Sequence, residues 1–358
     1  MHFLHVVGAR PNFMKAAPVL RALGGRSGIR QTLVHTGQHY DAGMSDIFFR
    51  QLGMPEPDVN LAVGSSSQAQ QTADVMSRLE PVILAQRPDC VLVYGDVNST
   101  LAAALVCSKL LVRVAHVEAG LRSRDRTMPE EINRLLTDQV SDWLFTPSAD
   151  ADENLRGEGI AAEKIHRVGN VMIDTLARLL PQATLPHGLS DVGAYVLVTL
   201  HRPGNVDDLP WLREMLAALS EVSREAEVIF PVHPRTKMRL IEAQAMPPAG
   251  ARIRLLPPLS YLEFLAVERQ ARVVVTDSGG VQEETSYLGV PCLTVRENTE
   301  RPITITEGTN LLVGRDVGRV RGELERRLAD SMPKRPTIPL WDGHAAERIA
   351  DILTRERS

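Results

Sequence analysis

The chain is short of cysteine, of long apolar runs and of net charge, and each shortage closes off a class of protein. Its three cysteines, Cys90, Cys107 and Cys292, are widely spaced, odd in number and set in apolar surroundings. They read as small core residues of a protein in a reducing compartment rather than as a disulfide framework. The net charge of −4 gives no electrostatic case for nucleic acid as a partner, and a bound anion would need a locally basic cleft. No apolar run approaches the roughly 20 residues that span a membrane, so no membrane association is expected. Polar residues interrupt the first apolar run at once, unlike a signal peptide, and a cytoplasmic protein is expected. Heptads and low-complexity tails are missing as well. So are the G-x-G-x-x-G fingerprint and a complete Walker loop.

What is present is a soluble globular composition, 44% hydrophobic and 23% charged, in 358 residues, enough for two domains of ordinary size. Residues 276–302 are the stretch around which the rest is organised. The run at 271–276 reads as a buried parallel strand, and Asp277, Ser278, Gly279 and Gly280 break it before a helical pattern through Glu284, Tyr287 and Leu288. Two glycines at a strand-to-helix turn let backbone N–H groups approach a ligand, and a helix N-terminus favours negative charge. Glu283 or Glu284, one turn further in, would then accept hydrogen bonds from a ribose. The same residues also suit a plain tight β–α connection.

The β–α alternation fills the chain. A strand at residues 4–7 ends in residues 8–15, where Arg10 and Lys15 read either as phosphate clamps or as solvated cations. Pro18 is expected in the first turn of the following helix. His35, His39 and Asp41 lie on a strand end and a loop without a further ligand cluster, so no metal is expected. Residues 64–71 read as a polar loop before a helix at 72–86. The strand at 90–94 leads to Asp96, which suits either a helix cap or a carboxylate in a site. The strand at 113–117 ends at Glu118, a charge that should not be buried without a partner or a task. Pro129 starts a helix on which Glu130 and Arg134, four apart, share a face, with Ile132, Leu135 and Leu136 expected on the buried side. Strands at 142–146 and 164–168 close the first domain, and residues 181–193 read as the connection to a second. There His201, Arg202, His233, Arg235 and Ser278 all fall just after strands, where parallel α/β sheets bind ligands.

Taken together and in order, GARPNFMKAAP, TGQHYD, YGDVNST, HVEAGLRS, MPEEINR, GNVMIDT, TLHRPGN, VHPRT, DSGGVQEE and RENTERPITITEGTN resemble the motifs of the non-hydrolysing UDP-N-acetylglucosamine 2-epimerases, over essentially the whole length. The resemblance implies an α/β, GT-B fold: two Rossmann-like, doubly wound domains with parallel sheets facing across a cleft. They would be residues 1–172 plus 341–358, carrying the catalytic carboxylates, and residues 173–340, binding UDP. It implies Asp96, Glu118, Glu130, Arg134 and His201 as catalytic positions. Arg10, Lys15, His233, Ser278, Gly279, Gly280, Glu284 and Arg301 would bind the UDP-sugar, with Glu284 on the ribose. Gln38 and His39 are the positions implied for an allosteric site, and the molecule would be a homodimer without cofactor or metal. The implied reaction interconverts UDP-N-acetylglucosamine and UDP-N-acetylmannosamine through elimination of UDP to a 2-acetamidoglucal and re-addition, supplying cell-surface polysaccharide precursors. The same residues would also serve a modified substrate such as a UDP-2,3-diacetamido uronic acid, a hydrolysing epimerase, a GT-B glycosyltransferase or a UDP-sugar sensor.

Overall fold

The structure, a computed structural model, describes residues 1–37, 51–331 and 335–355. The positions suggested for an allosteric site, Gln38 and His39, lie outside these, as do Tyr40 and Asp41. The chain forms two compact units, Met1–Thr175 with Pro339–Ser358, and Leu176–Ile338. They divide at 175/176 and 338/339 rather than at 172/173 and 340/341. The first junction lies inside the helix Val171–Leu179, and Asp174 and Thr175 both bond into the first unit.

The first unit holds strands β1 (His2–Val7), β2 (Arg30–His35), β3 (Val59–Asn60), β4 (Cys90–Tyr94), β5 (Arg113–Val117), β6 (Trp143–Thr146) and β7 (Ile165–Arg167). They form a parallel sheet in the order β3-β2-β1-β4-β5-β6-β7. Every residue of β1 and β4 is buried, as expected where helices cover both faces of a parallel sheet. Leu4, Val6, Val91, Val93 and Val114 meet Leu79, Ile83, Ala103 and Cys107 of the helices in one core. The second unit holds β8 (Tyr195–Thr199), β9 (Glu227–Pro231), β10 (Ile253–Leu256), β11 (Val273–Thr276), β12 (Cys292–Thr294) and β13 (Asn310–Leu312), ordered β10-β9-β8-β11-β12-β13, again parallel. The period of two sends Val196 and Val198 into one core and Tyr195 and Leu197 into the other.

In each sheet the winding reverses once, between β1 and β4 and between β8 and β11. The crevice beyond such a reversal is where open α/β sheets take ligands. Residues 8–15 and Asp96 follow the first pair; His201 and Ser278 follow the second.

Three local expectations change. Pro18 lies inside the helix Arg10–Gly24, not in its first turn. A proline cannot donate to the carbonyl four residues back, and the Thr175 hydroxyl donates to that Met14 carbonyl at 2.6 Å instead. The supposed loop at 64–71 is partly helix, because Ser67 caps the helix Gln68–Gln86 by accepting from the Gln70 N–H. Residues 181–193 are not a free connection, since Leu189 is buried in the second unit's core with Leu185 and Val192 packed beside it. All three cysteines are buried and unbridged, and burial pushes the Cys107 and Cys292 thiols up to about 12. Among the described residues no helix is long and apolar enough to cross a membrane.

Candidate active site

In the first unit the turn after β1 is fastened to its neighbour strand by Asn12. Its Oδ1 accepts from the Gly8 and Ala9 N–H groups at 3.0 and 3.1 Å, and its Nδ2 donates to the Tyr94 carbonyl at 2.7 Å. Arg10 stands exposed at the start of the helix. Lys15, one turn further in, is neither a solvated cation nor open to solvent as a phosphate clamp. It is 4% exposed and its Nζ donates to Glu118 Oε1 at 2.6 Å. The backbone makes room for it at Gly95, where φ is +62° and a Cβ would lie 2.5 Å from Lys15 Nζ.

Glu118 itself has φ +73°, a left-handed conformation that costs a non-glycine residue on the order of 1–3 kcal/mol. Two features hold it there: its N–H donates to the Phe145 carbonyl at 3.1 Å, and its carboxylate is tied to Lys15. Beneath it His116 faces two acceptors, with Nδ1 2.7 Å from Asp138 and Nε2 2.8 Å from the Gly95 carbonyl. Burial would push Asp138 up, but His116 and Arg122 bring its carboxyl below the usual range.

Asp96 does not cap the helix Asn98–Leu110, whose start at Val97 has no side-chain cap. Its carboxylate instead accepts from Arg134 Nη1, and its backbone carbonyl accepts from Asn133 Nδ2 at 2.9 Å. Arg134 is fully buried, and the expected Glu130–Arg134 pair is replaced by Glu131, whose Oε2 accepts from Arg134 Nη2 at 2.5 Å. Glu131 also accepts from the Ser123 and Arg124 N–H groups at 2.9 and 2.8 Å. Burial opposes its charge, yet these donors hold its carboxyl below the usual range. The helix Pro129–Val140 is therefore turned the opposite way from its apolar pattern. Glu131, Asn133, Arg134, Thr137 and Asp138 are buried, Leu136 is 45% exposed, and Ile132 and Leu135 are half-buried. Glu130 is exposed on its first turn. Lys15 with Glu118, and Asp96 with Arg134, are thus brought together; Glu130 joins neither pair.

In the second unit Ser278, Gly279 and Gly280 open the helix Gly279–Leu288 and stay half-exposed. A ten-residue helix offers its first N–H groups and the positive end of its dipole there, a place suited to an anion. Gly279 permits close packing, since a Cβ would meet Arg301 Nη1 at 2.5 Å and Glu300 Oε1 at 2.7 Å. Arg301 pairs with Glu283 Oε1 at 2.9 Å and with Glu300, while Arg296 Nη2 bonds Glu300 at 2.8 Å. Burial would raise Glu300, but these two guanidinium groups hold its carboxyl far below the usual carboxylate range; burial and Arg296 lower Arg202. Glu284 is 4% exposed and accepts from the Tyr261 hydroxyl at 2.8 Å, so it meets a phenol before any ribose. Behind it Glu268 is fully buried, and burial followed by the charge of Glu284 holds its carboxyl well above the usual range.

His233 is exposed and caps the helix Pro234–Glu242, its Nδ1 accepting from the Arg235 N–H at 3.3 Å. That contact leaves Nε2 as the donor facing outward. His201, also exposed, points Nδ1 at Asp277 Oδ1 at 2.9 Å. Asp277 was missed in the sequence although it directly follows β11, the position that singled out Ser278. Asn12 and Tyr261 carried no such signal, because their partners Tyr94 and Glu284 lie 82 and 23 residues away. Glu131 was passed over because its neighbour Glu130 offered the i,i+4 pairing to Arg134.

The family profile described as UDP-N-acetylglucosamine 2-epimerase matches residues 21–354. The UDP-N-acetylglucosamine 2-epimerase of Methanocaldococcus jannaschii is 42% identical, with 98% of each chain covered. At 43% identity, over 99% of this chain and 100% of the other, the match is to UDP-2,3-diacetamido-2,3-dideoxy-D-glucuronate 2-epimerase of Pseudomonas aeruginosa. A crystal structure of the Methanocaldococcus jannaschii enzyme in complex with UDP-GlcNAc and UDP superposes with a TM-score of 0.88, covering 99% of both chains at 42% identity. The likeness agrees with the fold class, two Rossmann-like units of the GT-B type.

Proposed function

The chain belongs to the UDP-N-acetylglucosamine 2-epimerase family, and on that footing we propose that it reversibly inverts C2 of UDP-N-acetylglucosamine to give UDP-N-acetylmannosamine. The observation that carries this reading is Glu118, a buried carboxylate held in left-handed backbone beside Lys15 at the end of β5. Such strain persists where surrounding structure imposes it, and it clusters at functional sites.

The second unit holds UDP, with the diphosphate on Ser278, Gly279 and Gly280 and with His233 and Arg10 as further donors. The first unit supplies acid and base groups from Asp96, Glu118 and Glu130. In the forward direction the C1–O bond breaks and its electron pair leaves with UDP. A carboxylate takes the C2 proton, and the C2–H electron pair becomes the C1=C2 bond of 2-acetamidoglucal. Return of a proton to the opposite face of C2 and of the UDP oxygen to C1 completes the inversion. Positive character on the sugar suits nearby carboxylates, and the departing charge suits a helix N-terminus. Two faces of C2 require more than one acid/base group. Arg134 fixes Asp96, and Lys15 fixes Glu118.

A second reading follows from the Pseudomonas aeruginosa relative: the same chemistry on UDP-2,3-diacetamido-2,3-dideoxy-D-glucuronate. Both are tested by incubating the protein in D2O with each UDP-sugar, without metal, nicotinamide or acceptor. Deuterium at C2 and a mixture of two epimers with UDP-N-acetylglucosamine is the expected result. Exchange with the diacetamido uronate alone supports the second reading, and exchange with neither overturns both. Release of free N-acetylmannosamine in place of its UDP form would establish a hydrolysing enzyme.

A further inference from the structure

We propose that Asp277 is a positioning residue that locks His201 in one tautomer, with Nδ1 protonated and Nε2 presented outward. The inference rests on the reading of His201 as an active-site group and adds how it is held. Asp277 is fully buried, and the donors around it all come from one loop. The His201 N–H lies 3.2 and 3.1 Å from its two oxygens, the Arg202 N–H 2.9 Å from Oδ2, and Asn205 Nδ2 3.1 Å from Oδ2. The fourth contact is His201 Nδ1, 2.9 Å from Oδ1. Asn205 also donates to the Val295 carbonyl at 3.1 Å, which ties the loop to the end of β12.

Surrounded by donors, the carboxylate stays ionised. Burial alone would raise it, but the His201 ring, the Arg202 N–H and Asn205 hold it below the usual range. An ionised carboxylate only accepts, so the ring nitrogen facing it must carry the hydrogen. Nε2 is then the atom that gains or loses a proton, and the His201 side chain is 53% exposed. A histidine held this way offers a lone pair in its neutral form and a second N–H when protonated. It can take a proton from a sugar or donate one to a diphosphate oxygen. The placement also links two parts of the second unit, because Asp277 is peptide-bonded to Ser278. The chain that begins the phosphate-binding turn is the chain that aims the histidine.

The tautomer is read directly by long-range proton–nitrogen correlation on 15N-labelled protein, with His201 assigned from the signal lost in His201→Gln. Wild type is expected to show the hydrogen of the neutral ring on Nδ1, and an Nε2–H tautomer would overturn the proposal even if no Asp277 variant folds. Asp277→Asn, which places an amide among donors, should release the fixed tautomer and lower kcat for C2 exchange about 100-fold. UDP affinity in that variant should stay within about threefold of wild type, since a positioning group acts on turnover rather than on binding. Wild-type kcat in Asp277→Asn would overturn the proposal. A wild-type protein without C2 exchange would overturn the epimerase reading alone, because the tautomer is read without substrate.

Discussion

Lys15 and Glu118 form an ion pair whose side chains are 5% and 3% exposed, so neither charge has water to fall back on. Removing one partner of a buried pair typically costs about 3–5 kcal/mol, because the other is left uncompensated. Lys15→Met should lose stability of that order in urea unfolding. The double variant Lys15→Met with Glu118→Gln should recover most of it, and simple additivity of the two single losses would count against the pair. Glu118→Gln alone should abolish C2 exchange while UDP binding, measured by calorimetry, stays near wild type. Loss of UDP binding in that variant would contradict a role confined to the proton chemistry. Gly95 makes the pair sensitive to its backbone as well, since an added methyl group would lie against Lys15 Nζ.

Among the elements, the helix Val171–Leu179 carries Asp174, which accepts from the Ala345 and Ala346 N–H groups at 3.1 and 2.7 Å and so caps the helix Ala345–Arg355. Burial, opposed by those two N–H groups, pushes its carboxyl from 3.8 up to about 6. A raised folded-state pKa means that the native state holds the proton more tightly. Its contribution is present below about pH 4 and is lost as pH rises through about 6, on the order of 2–3 kcal/mol in all. Asp174→Asn should remove that slope from urea midpoints measured between pH 4 and 7, and an unchanged slope would refute the assignment. Most strands were legible because a sheet covered on both faces writes itself as unbroken apolar runs, whereas the short edge strands β3 and β13 were not. The candidate site residues were proposed from their place directly after those runs. The helix Pro129–Val140 was not legible in the same way. Its apolar pattern pointed Ile132, Leu135 and Leu136 inward, but Arg134 is needed between Glu131 and Asp96, so the polar face is the buried one. Partners such as Asn12 with Tyr94, or Thr175 with Met14, are separated by 82 and 161 residues, and no local pattern announces them.

At the scale of the molecule, the proposed labour is divided: the second unit holds most of the nucleotide and adds His201, and the first supplies the three carboxylates. Hydrogen exchange with and without UDP tests this division. Protection should rise most at residues 277–284, whose amides open the helix Gly279–Leu288, and an absence of protection there would remove the phosphate turn from the site. The first unit is assembled from two separate stretches of chain. Arg26 bonds Asp351 Oδ1 at 2.5 Å and Thr354 at 2.9 Å, and Trp341 donates its indole N–H to the Pro147 carbonyl at 2.9 Å. Ile349, Ala350 and Leu353 are buried on the same closing helix. During synthesis, therefore, residues 176–338 have all left the ribosome before the first unit can close. The domain encoded first is the one finished last. Until residues 345–355 emerge, the nascent protein carries an open apolar seam beside the helix Arg10–Gly24, a period in which a chaperone would find most to hold.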